Sequence, residues 1–273
     1  MTTENLVQSI LNTSWGIYLV FIFIFIFMKI PKRNVFAPYR RSRGFMVVAF
    51  FFLFSQIFSG WMLPKNTLPA EVLAAFDTPF FYMELIFLCL AFFHLLDHSF
   101  GTYRRVLFDL LSWCVVCATC LTSLTIKNHT FQIILAIVGG VMLICFTIVC
   151  VLRFLRLHKI ARTQLDNYYT DQMYNFVLWI RRSIMFIILL GVFSVVVLFA
   201  PYIFRVVYFV AATIMNVYIA VSFINYSFVF ERVERSFRLS YEQQILLKKT
   251  QSRTSSIKKE DILTEAGFTV VAK

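Results

Sequence analysis

Seven transmembrane helices in an all-α integral membrane bundle are what this chain predicts, on three observations. First, seven apolar stretches fill most of its 273 residues, near Ile10–Met28, Phe45–Leu63, Phe80–Leu96, Val106–Ile126, Phe131–Leu152, Ser183–Ala200 and Tyr202–Phe230. Each approaches the roughly 20 residues that a helix needs to cross about 30 Å of hydrocarbon. Second, 60% of the residues are hydrophobic and the mean hydropathy is +0.77, well above the roughly 45 to 50% apolar content of soluble domains. Third, the basic residues are sorted. All of the 26 Lys and Arg except Lys65, Lys127 and Arg205 lie in the odd-numbered connections or beyond the seventh stretch. By the positive-inside rule this places the N-terminus outside and the C-terminus in the cytoplasm of the inner (plasma) membrane.

The first stretch should be a retained span rather than a cleaved signal peptide, because residues 1–14 carry Glu4 and no Lys or Arg. Within it, Tyr18 to Phe27 alternates Phe with aliphatic residues. Both members of each pair are apolar, so the alternation defines no two faces, and a lone strand in lipid would strand its backbone polar groups. A helix is expected. The loop Lys29–Arg43 carries six basic and no acidic residues, with Pro31 and Pro38 expected to end helical order. The external loop Pro64–Thr78 is acidic at Glu71 and Asp77, and Ala70–Phe76 suits a short helix on the outer surface.

The turns at 98–105, at 127–130 and at Pro201 are too short to hold a domain. Any stimulus should therefore be small, lipidic or mechanical. Arg153, Arg156, Lys159 and Arg162 follow the fifth stretch at helical spacing and suit a helix that projects beyond the bilayer. Asp166 and Asn167 then favour a turn, and Thr170 with Asp171 can cap the helix entering the sixth stretch.

Three units follow: a seven-helix transmembrane domain over 1–230, a short cytoplasmic helical stalk over 231–250 and a flexible tail over 251–273. In the stalk, Phe230, Val233, Phe237 and Tyr241 recur every three or four residues. That stripe suits a homodimer seam or the membrane surface equally. A cytoplasmic regulatory partner is the other protein contact expected. The net charge of +12 reads as topology and attraction to the anionic headgroups of the lipid bilayer, not as nucleic-acid binding. All six cysteines fall inside apolar stretches, where small polarisable packing residues are expected; no metal or cofactor is expected.

Ionisable groups within the stretches are the sharpest clues, because charge in the bilayer is costly and should face protein or water. Glu84 and Arg205 sit at similar depth with opposite sign. They are expected to pair, or with Asn216 to line an outward-facing polar pocket. His94, Asp97 and His98 end the third stretch, and Arg104 and Asp109 open the fourth, forming an inner-face polar cluster. It reads first as structural, then as a signalling switch, and last as a metal-dependent enzyme. Gln56, Asn216 and Asn225 should make interhelical hydrogen bonds of about 1 kcal/mol, and Gly139 and Gly140 should permit close helix approach. Neither a phosphate-binding glycine loop nor a nucleophile with its base is present, and the expectation is a non-enzyme.

The segment 165–182, LDNYYTDQMYNFVLWIRR, resembles the connection before the sixth helix in seven-helix membrane proteins of the Bacteroidota. The resemblance rests on Tyr168, Tyr169, Thr170, Asp171 and Trp179, and the span layout and stalk extend it to about residue 250. It implies a sensor half of the kind usually fused to an AraC-type helix-turn-helix domain in membrane-bound transcriptional regulators. Residues 251–273 are too few for such a domain, so DNA binding is not expected of this chain. The alternatives from the residues alone are a small-solute or ion transporter using Glu84, Arg205, Asn216 and Asn225, and a membrane enzyme using His94, Asp97 and His98.

Overall fold

The computed structural model describes residues 3–62, 70–96, 103–125, 128–166, 172–198, 204 and 206–231. Among these, seven α-helices occur, and no strand. They are α1 (Thr3–Phe27), α2 (Ala37–Met62), α3 (Ala70–Leu96), α4 (Tyr103–Thr125), α5 (His129–Asp166), α6 (Gln172–Leu198) and α7 (Val206–Glu231). Five carry segments long and apolar enough to cross a membrane, in α1, α2, α3, α5 and α7. The apolar part of α4, Val106–Thr122, is shorter. The chain is thus a helical, multi-pass membrane protein.

Several boundaries differ from the hydropathy reading for local reasons. Pro38 does not end a helix but lies in the first turn of α2, just after a 3-10 turn over Asn34–Phe36. Its fixed φ suits that position and its missing N–H would have had no helical partner there. The segment 70–76 does not form a separate surface helix. It is continuous with α3, which carries Pro79 within it. Helix α5 runs for 38 residues, about 57 Å at 1.5 Å per residue, which is far more than the hydrocarbon thickness.

Helix α3 is the hub. It packs on α2, α4, α5 and α6, and 72% of its apolar window is buried, against 28 to 39% for the windows of α1, α2, α5 and α7. Neighbouring helices alternate in direction. At one end, Ser42 in the second turn of α2 donates to the carbonyl of Ala91 near the end of α3. At that same end Phe92 meets Trp179 of α6 edge-on, and Tyr39 of α2 stacks on Phe223 of α7. At the other end Trp15 of α1 stacks on Phe54 late in α2, and Tyr208 of α7 donates to the carbonyl of Leu190 in α6.

The buried positions of α7, Tyr208, Thr213, Asn216, Ile219, Ala220, Phe223, Tyr226 and Phe230, form one stripe at helical period. The outward surface of the bundle is apolar, with Val20, Phe23, Phe108, Ile148 and Phe228 among its exposed side chains. Such a surface suits lipid.

Candidate functional site

A cavity of about 50 Å³ opens between α3, α5, α6 and α7, beside Leu53 of α2. Phe81, Glu84, Leu85 and Leu88 line it from α3, one face at spacings of three and four residues. Thr147 faces it from α5, Gly191 from α6, and Tyr208, Ala212 and Asn216 from α7. The walls are otherwise aliphatic. Glu84 is only 9% exposed and lies eight residues into the span Phe76–Leu96, about 12 Å along the helix.

Each neutral polar side chain of this site donates a hydrogen bond to another group of the bundle. Thr147 Oγ1 donates to the carbonyl of Leu143, one turn back, at 2.8 Å. The Tyr208 hydroxyl donates to the carbonyl of Leu190. Asn216, 1% exposed, donates through Nδ2 to the Tyr18 hydroxyl at 3.3 Å. Tyr18 in turn donates to Thr213 Oγ1, and Thr213 donates to the carbonyl of Phe209. Ser14 joins Thr213 at 2.8 Å. The Asn216 Oδ1 atom is buried with no hydrogen-bond partner among the described residues.

This chain of bonds ties α7 to α1 across almost the whole sequence. Sequence reasoning named Glu84 and Asn216, and the structure brings both to one cavity. It missed Ser14, Tyr18, Thr147 and Thr213, hydroxyl residues within apolar stretches whose partners lie on distant helices. Arg205 lies outside the described residues, and so does its expected pairing with Glu84. Asn225 is exposed on α7. Nine residues separate it from Asn216, about two and a half turns, so the two occupy opposite faces.

The end of the bundle where α2 begins is held by an aromatic clasp. Tyr39 donates to the carbonyl of Phe223 at 2.7 Å while its ring stacks on that of Phe223 at 4.8 Å. Phe230 and Trp179 complete the clasp, Trp179 lying 5.4 Å from the Tyr226 ring. Arginines order the loop beneath. Arg43 donates to the carbonyl of Met28 and Arg40 to those of Pro31 and Arg33, while Arg33 reaches Glu231 of α7 at 3.4 Å.

Of the cluster expected at the inner face, Asp109 and His94 are described. Asp109 of α4 pairs with Arg153 of α5 at 3.3 Å, a residue read from sequence only as part of the helix projecting inward. Tyr82 of α3 donates to Ser112 Oγ, and Ser112 donates to the carbonyl of Asp109. His94 is buried on α3, edge-on to Phe45. Asp97, His98 and the side chain of Arg104 lie outside the described residues. So do Tyr168, Tyr169, Thr170 and Asp171, and with them the stalk and tail. Of that loop motif Trp179 is described, and it belongs to the clasp.

The six cysteines are free thiols, with Cys89, Cys120 and Cys150 buried. Among the described residues, no three His, Cys, Asp or Glu side chains are grouped to hold a metal ion. No protein-family model, no curated protein and no solved structure matches this chain.

Proposed function

We propose that the chain is a seven-span sensor module of the inner (plasma) membrane, N-terminus outside and C-terminus cytoplasmic, in which α7 relays a change at the Glu84 cavity to the stalk beyond it. The reading of the resemblance, a membrane-bound regulator's sensor half, belongs to this proposal. One observation carries it. The same buried stripe of α7 supplies Tyr208 and Asn216 to the cavity and Phe223, Tyr226 and Phe230 to the inner clasp, and the helix runs on to Glu231.

A helix gripped at two levels can pass displacement or rotation from one to the other, provided both grips have two discrete arrangements. The end where the clasp lies also carries Arg33, Arg40, Arg43 and Arg153, which supports its cytoplasmic placement. A transporter is the second reading, favoured by the carboxyl in the cavity. The exposed position of Asn225 takes one residue of its expected path away.

The test is a photoreactive side chain at Tyr241, cross-linked in the native host with and without Asn216→Leu. The sensor reading expects a specific partner whose cross-linking yield changes in the variant at equal membrane abundance. An unchanged yield together with solute uptake that depends on Glu84 would establish the transporter instead.

A further inference from the structure

Among the described residues Glu84 has no hydrogen-bond or ion-pair partner, although it is nine-tenths buried at about 12 Å into its span. An ionised carboxylate so placed needs a compensating positive charge. The groups sharing the cavity are arranged for one. Asn216, which lines the cavity, commits one Nδ2 hydrogen to Tyr18 and has a buried Oδ1 with no partner among the described residues. Thr147 commits its hydroxyl hydrogen to Leu143, which leaves its oxygen as an acceptor.

Side-chain oxygens of three residues, on α3, α5 and α7, therefore border one space. An anion meets the buried carboxyl group of Glu84 there and is disfavoured. A hard cation finds oxygen ligands of the kind it prefers. A single carboxylate neutralises a single charge, so a divalent ion would leave net charge in an apolar site. The volume of about 50 Å³ holds a few waters or one small ion with part of its hydration.

We propose that Glu84, Asn216 and Thr147 form a binding site for a small monovalent cation between α3, α5 and α7. The proposal deepens the sensor reading by giving the cavity its ligand class. It also explains why the unpartnered amide oxygen lies on the helix that leads to the stalk, because an ion drawn between Glu84 and Asn216 tightens α7 against α3.

Thermal unfolding of the purified full chain in detergent tests this. The chlorides of lithium, sodium, potassium and ammonium are compared with N-methyl-D-glucamine chloride, whose cation is too bulky for the cavity, at matched ionic strength and pH. At least one small cation should raise the midpoint saturably. Thr147→Val should raise the half-saturating concentration by about tenfold, the effect of losing one ligand worth about 1.4 kcal/mol. Glu84→Gln should abolish the dependence.

Equal midpoints in every salt overturn the proposal, as does a cation effect that persists undiminished in Glu84→Gln. Should that variant fail to fold, the Thr147→Val titration decides, since unchanged half-saturation there also overturns it. A midpoint that moves with pH and with no cation assigns Glu84 to protons and overturns the ion site. Cation binding without any change in Tyr241 cross-linking supports the site and overturns the sensor reading. Cross-linking that responds to Asn216→Leu without cation binding does the reverse.

Discussion

The Tyr39 hydroxyl donates to the backbone carbonyl of Phe223 at 2.7 Å while the two rings lie face to face at 4.8 Å. One side chain at the start of α2 thus grips α7 by both its backbone and its side chain. The two contacts are separable. Tyr39→Phe keeps the ring and removes the bond, and interhelical hydrogen bonds in membranes average about 0.6 kcal/mol with a maximum near 1.7. Tyr39→Phe should therefore lower unfolding stability by roughly that amount, and Tyr39→Ala by about 2 kcal/mol or more through the lost packing. Equal losses from the two variants would mean that the stacking contributes nothing.

Asp109 and Arg153 call for a double-mutant cycle. Asp109 is almost fully buried and Arg153 partly so, their side chains being 7% and 29% exposed. Removing one partner strands the other, at a cost below the 3 to 5 kcal/mol of fully buried pairs because Arg153 reaches solvent. Asp109→Asn alone should lose about 1 to 2 kcal/mol, and adding Arg153→Gln should return part of that loss. Simple additivity in a denaturation series would show that the two side chains do not interact energetically.

Gly139 and Gly140, expected to permit close helix approach, can be tested by adding a Cβ at each. A Cβ on Gly139 would meet Thr78 Cγ2 at 3.7 Å and Cys120 Sγ at 3.8 Å, ordinary contacts, and one on Gly140 would meet nothing within 4 Å. Neither glycine is required for helix approach. Gly139→Ala and Gly140→Ala should each be neutral or stabilise α5 by up to about 1 kcal/mol, measured by thermal unfolding. A loss of more than that in either variant would mean that the helices pack more closely in the membrane than in this structure.

The proposed sensor reading makes transfer through α7 depend on helical phase. One alanine inserted after Phe230 rotates everything beyond it by about 100°, whereas four alanines restore nearly a full turn. The single insertion should change the partner cross-linked from Tyr241 and the four-residue insertion should largely recover it, both at normal membrane abundance. Identical behaviour of the two insertions would remove α7 as the rigid link.

The helices were legible in sequence because membrane insertion selects on apolar length, a property each segment carries alone. Pro38 and the segment 70–76 were misplaced because a proline reads as a break, although it is compatible with a first turn and can also sit within α3 as Pro79 does. Glu84 and Asn216 stood out because polar groups are rare in lipid. Tyr18, Thr147 and Thr213 did not, since a hydroxyl in an apolar stretch commonly bonds its own helix and gives no sign of a partner nearly 200 residues away. The opposed faces of Asn216 and Asn225 were readable all along from their nine-residue separation.

The centrality of α3 bears on how the protein is made. Most of its apolar window ends against other helices, 72% buried, and so has little need to tolerate lipid in the finished bundle. Its mean hydropathy is nevertheless 1.9, close to the 2.1 of α1 and the 2.0 of α7. Such apolarity suits α3 to insert into the bilayer as a segment in its own right, ahead of α4, α5 and α6, which cover it in the finished bundle. The walls that face Glu84 come from α5, α6 and α7, so its cavity exists only once those later helices are in place.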